Sequence, residues 1–199
     1  MQTLPIARQL TAIALIVGAA TSAQAFSLST SGNLTFNDSV ADVAFTLVSS
    51  TSAVRLWTDS FHSGVNFDPV LTLWKHAGSD YTLIIGADDD SSVGAGQTYY
   101  DAGLRFATLA AGDYLASITA SPYLAVGTLY SRGFAFADPS IVHTLIAQWN
   151  QPSSTDNNQK GTFWSLNVAS GAVPEPDLSA LLALGLSVLG WMSYRSRSV

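Results

Sequence analysis

"VLTLWKH" (residues 70–76) and "DYTLIIG" (residues 80–86) are two short runs rich in aliphatic, β-branched and aromatic side chains, parted by Ala77, Gly78 and Ser79. Runs of this length and composition, closed by Gly, Asp or Ser instead of continuing through three helical turns, predict β-strands. The pattern repeats outward along the chain. "DVAFTLV" (42–48) puts Val43, Phe45 and Leu47 on one face, and "AVRLWTD" (53–59) sets Val54 and Leu56 opposite Arg55 and Trp57. "AGLRFATL" (102–109), "DYLASITA" (113–120), "VHTLIAQW" (142–149) and "TFWSLNV" (162–168) extend the series. Many short strands with turn punctuation and no helical period predict an all-β fold, an antiparallel β-sandwich or jelly roll. Trp149 and Trp164 follow the phases of Leu145 and Leu166 and are assigned to its core. "QPSSTDNNQKG" (151–161) reads as a long solvated loop between two late strands.

The two ends have a different character. Arg8, the apolar run "LTAIALIVGAA" and the small residues Ala23 and Ala25 have the order of a secretory signal peptide, with cleavage expected after Ala25. At the other end, residues 178–192 form an apolar run that would be about 22 Å long as a helix, short of a hydrocarbon core of about 30 Å. Ser193 and Tyr194 extend it, and Arg195 and Arg197 follow. The positive-inside rule keeps those arginines cytoplasmic and the preceding chain outside. The expected organisation is a signal peptide over 1–25, one domain over 26–172 and a C-terminal segment over 173–199 with a single transmembrane helix.

Composition narrows the chemistry. There is no cysteine, which excludes disulfides, thiolate metal sites and cysteine nucleophiles. Residues 26–172 carry twelve aspartates against Arg55, Lys75, Arg105, Arg132 and Lys160, a net charge of −7, so a nucleic-acid partner is not expected. His62, His76 and His143 show no metal-ligand spacing, and neither a G-x-S-x-G elbow nor a complete dinucleotide loop is present. The domain contains no glutamate, which disfavours paired-carboxylate glycoside chemistry. The chain is therefore expected not to be an enzyme; a secreted hydrolase of envelope or matrix glycans is the alternative.

"GADDDSSVGAG" (86–96) is the strongest candidate for site chemistry. Asp88, Asp89 and Asp90 leave a strand into a glycine-rich loop, and like charges so close repel unless a cation relieves them. Calcium accepts six to eight oxygen ligands in irregular geometry, so Asp68 of "NFDP" and Asp101 of "YYDAG" are added as candidate ligands. The spacing is not that of an EF-hand, since Val93 and Tyr99 occupy the positions of its glycine and glutamate. Trp57, on the face of Arg55, and Trp74, on the face of Thr72, are read as partly exposed rings that could form a sugar platform.

Val173, Pro174, Glu175 and Pro176, followed by one apolar helix and an arginine tail, resemble the PEP-CTERM sorting signal of Gram-negative bacteria. The resemblance implies recognition by an exosortase, cleavage near Pro174, Glu175 and Pro176, and passage from an inner-membrane precursor to the cell surface or the extracellular matrix. It also implies association with exopolysaccharide. "NFDPVLTLW", "YYDAGLRFATLAAGDYLASITA" and "FWSLN" resemble a domain of unassigned function found in PEP-CTERM exported proteins. That domain is distantly similar to bacterial pre-peptidase C-terminal β-sandwiches and lends no catalytic residues. Its members often read Asn-Asp-Asp where this chain has Ala87, Asp88 and Asp89, a departure that removes one oxygen ligand.

Overall fold

The computed structural model describes residues 25–152 and 157–171. The expected transmembrane helix, Ala23 of the signal segment and the motif residues Val173, Pro174, Glu175 and Pro176 lie outside these. Among the described residues, no helix is long and apolar enough to cross a membrane.

Among the described residues there are ten strands: β1 (Ser27–Asn33), β2 (Ala41–Leu47), β3 (Thr51–Trp57), β4 (Pro69–Ala77), β5 (Asp80–Ala87), β6 (Gly103–Leu109), β7 (Gly112–Ala120), β8 (Tyr123–Ala125), β9 (Phe134–Phe136) and β10 (Phe163–Ala169). They form two four-stranded antiparallel sheets, ordered β1-β10-β3-β6 and β2-β7-β4-β5, and a small β8-β9 hairpin. Val54, Leu56, Leu104, Leu166 and Val168 from the first sheet meet Phe45, Leu71, Leu73, Tyr114, Ala116 and Ile118 from the second in one buried cluster. That shared core makes the domain a β-sandwich, as the period-two pattern predicts.

Three departures from the sequence reading have clear physical causes. Residues 142–149 are not a strand. The segment pairs only at Leu145 with Phe36, and Ile146–Gln148 then forms a single 3-10 turn. Ile146 and Trp149, three positions apart, are buried on that turn, while Leu145 is exposed. In 151–161, Gln151 is 2% and Gln159 1% exposed, so the described part of this stretch is not a solvated loop throughout. The Gln151 amide accepts from the Asp68 N–H at 3.1 Å and donates to the Ser121 carbonyl at 2.7 Å, satisfying backbone groups at the ends of β4 and β7. Finally, β1 reads "SLSTSGN", with Leu28 its one large apolar side chain, and is held by seven register pairs with β10. At one of these, Gly32 faces Trp164, whose ring occupies the space that a Cβ would need.

The two central strands of the second sheet, β4 and β7, are covered on both faces over most of their length. Outward from the shared core, Val70, Thr72 and Trp74 of β4 are each 3% exposed or less. Their cover is an aromatic layer in which Tyr130 and Phe134 meet Trp74 edge-on, at 5.5 and 5.9 Å.

Candidate metal centre

The register of the β4-β5 hairpin assembles the site. Ala77 pairs with Asp80 and Leu71 with Ala87, with one bulge between, so continuing the ladder sets residues 68 and 69 across from residues 89 and 90. β7 runs alongside β4 with Ala120 opposite Pro69, which brings Ser121 to the same end. Asp68, Asp88 and Asp89 thus converge, and one carboxylate oxygen from each lies within 4.8 Å of the others. Asp68 is buried, and Asp88 and Asp89 are exposed.

Electrostatics reflects the crowding. Partial desolvation, joined by the negative charge of Asp89, pushes the Asp88 carboxyl above its ordinary value, against a hydrogen bond from Ser121 Oγ at 3.3 Å. Desolvation also raises Asp89. Asp88 lines the rim of a shallow groove of about 300 Å³, between β5 and β8, whose other walls include Val70, Leu83 and Leu124.

The other two candidate aspartates stand elsewhere. Asp90 turns back on its own loop, accepting from the Ser92 N–H at 3.1 Å and the Ser92 hydroxyl at 2.7 Å. Those bonds hold its carboxyl below the usual value. Asp101 is fully buried as a structural clasp. Its Oδ1 accepts from Thr58 Oγ1 and from the N–H groups of Ser60 and Phe61, and its Oδ2 accepts from Thr98 N–H at 2.7 Å and from Thr98 Oγ1 at 3.1 Å. An oxygen saturated by such donors has little left to offer a cation.

The paired-tryptophan platform is not present. Trp74 is 0% exposed beneath the aromatic layer, and its indole N–H donates to Ser117 Oγ at 3.1 Å. It does share the outward face of Thr72, but that face is covered. Trp57 is half-buried: Gly94 lies so near the indole that a Cβ there would stand 2.1 Å from Cε2, and the indole N–H donates to the Ala95 carbonyl. His143 belongs to a different part of the surface, where it meets Asp38 at 2.8 Å and stacks on Phe36. Ser121 was not among the candidates read from sequence; only its strand's register brings it to Asp88.

Three carboxylates form an all-oxygen donor set of the kind hard divalent cations take, and a span below 5 Å matches oxygens sharing one ion at 2.3–2.6 Å each. Set beside protein-family models, curated proteins and solved structures, the chain matches none.

Proposed function

We propose that this chain is an exported, non-enzymatic β-sandwich protein of the bacterial cell surface or extracellular matrix, a client of an exosortase, associated with exopolysaccharide and binding calcium through Asp68, Asp88 and Asp89. The observation that carries the cation part is the convergence of these three carboxylates within 4.8 Å at the ends of two paired strands. Bound calcium would offset the repulsion between them, with the remaining oxygen ligands supplied by water or backbone. The address rests on the signal-like N terminus and on Val173, Pro174, Glu175 and Pro176 before the apolar run. The acidic composition is in keeping with a hydrated, cation-rich matrix.

The test is thermal melting of the full chain. Added calcium raises the melting temperature, EDTA reverses the rise, and Asp88→Asn removes it; at calcium one hundred times the dissociation constant the gain is about 2.7 kcal/mol. A melting temperature unmoved by calcium and by EDTA ends the cation reading. The glycan-hydrolase alternative makes the opposite prediction on polysaccharide, since new reducing ends on incubation would put it first.

A further inference from the structure

On the outer face of the first sheet, Arg55 of β3 and Arg105 of β6 stand directly opposite each other in register. Like charges in this position repel, yet two of the domain's five cations are placed here. Among the described residues, no carboxylate lies within 4.0 Å of either guanidinium. Asp90, the acidic group whose charge is felt at Arg105, is already committed to Ser92.

The guanidiniums are steadied by carbonyls. Arg55 Nη1 donates to the Val93 carbonyl at 3.4 Å, and Arg105 Nη2 donates to that of Ser92. A guanidinium has five N–H donors, so most remain for a ligand. A groove of about 380 Å³ is lined by both arginines with the exposed Ala53 and Ala107, by Gly171, and by Val54 and Phe106, whose side chains pack toward the core. Beyond it the same face continues in small polar side chains: Ser29 of β1, whose hydroxyl bonds Asn167 of β10 at 2.9 Å, then Ser27 and Ser31. None of the large exposed apolar residues belongs to β1, β3, β6 or β10.

We propose that this face binds a carboxylate-bearing polysaccharide, with a uronic-acid carboxylate bridging Arg55 and Arg105. Arginine forks match carboxylates in two-point geometry, and an anion between the two cations relieves their repulsion. The Ala53 and Ala107 methyls suit the carbon face of a sugar ring, and the serines and Asn167 suit its hydroxyls. A face on which Trp57 is half-buried and no large apolar side chain is exposed does not suit insertion into lipid. The assignment deepens the matrix reading above and rests on it for where the polymer is met, but it uses none of the calcium ligands.

Affinity electrophoresis of the full chain through gels containing polygalacturonate, dextran or no polymer tests it, alongside sedimentation with phosphatidylglycerol vesicles. Polygalacturonate retards the wild type and dextran does not. Arg55→Ala and Arg105→Ala each weaken retardation about tenfold or more. Arg55→Lys with Arg105→Lys keeps the charge and the fold but loses the forks, and also weakens binding; it stands in should the alanine variants lose the contacts to Ser92 and Val93 and unfold. Galacturonate competes. Equal retardation of wild type and the double lysine variant, equal retardation by dextran, or sedimentation with vesicles that the arginine variants lose, in place of retardation, overturns the proposal. Asp88→Asn retains polygalacturonate binding, so a failed arginine site and a failed calcium site give different results.

Discussion

Five aspartates looked alike as text and meet three fates. Asp68, Asp88 and Asp89 converge, Asp90 closes a short turn, and Asp101 binds the loop between β3 and β4 to the loop before β6. The adjacency of Asp88 and Asp89 was readable directly. The role of Asp101 was not, because its partners Thr58, Ser60 and Phe61 lie 43, 41 and 40 positions away. Asp101→Ala strands buried N–H donors at Ser60 and Phe61 and costs about 3 kcal/mol or more, while Asp90→Ala costs less than about 1 kcal/mol; urea denaturation of the two variants checks the contrast. Acidity separates these groups as well. Asp88 and Asp89 are raised above 3.8, so the folded protein holds protons that the unfolded chain has lost. Their contribution without cation is most favourable at low pH and falls as pH rises from about 4 through their folded values. Asp90 is lowered, so its contribution is present above 3.8 and is lost as pH falls through its folded value. Melting in EDTA between pH 4 and 7 therefore shows a decline toward neutrality that Asp88→Asn reduces, and calcium offsets that decline once the carboxylates ionise.

At the scale of elements, the strands with strong apolar alternation were legible, and β2, β6 and β7 fall within a residue or so of their predicted bounds. Weak composition concealed β1, whose backbone pairing with β10 carries what its side chains cannot. The converse error is residues 142–149: a run of strand-forming residues whose backbone bonds are taken up by a turn, with Ile146 N–H donating to Thr35 and Trp149 N–H to Leu145. Strand β4 shows why Trp74 was misread. Alternation identifies which residues share a face, but not whether a third layer covers it. The outer layer is tied down by a polar relay that begins at Trp74: its indole N–H reaches Ser117 Oγ, which donates to Asp42 at 2.6 Å, and the Tyr130 hydroxyl donates to the other Asp42 oxygen. Burial and that bond hold the Tyr130 hydroxyl well above its ordinary acidity range. The relay joins residues 42, 74, 117 and 130, and such distant partners leave no local pattern to read.

For the whole molecule, the proposed address makes its own prediction. Mass spectrometry of surface material should find a mature N terminus at Phe26 and a C terminus among Val173, Pro174, Glu175 and Pro176 in cells with an exosortase. Cells without one should retain the full C-terminal run, whereas an intact C terminus in both strains would identify a permanent single-span ectodomain. The sandwich also has a polarity along its strands. Ser27 pairs with Ala169, and the N–H of Ser170 donates to the Phe26 carbonyl, so the domain's two ends leave side by side from one pole. Asp68, Asp88 and Asp89 gather at the other, where β4 begins and β5 and β7 end. Seven-residue strands separate the poles by about 23 Å. Within the domain, the carboxylates therefore open at the end of the strands opposite the one from which both termini leave, so a tether at either terminus begins about a strand's length from the site.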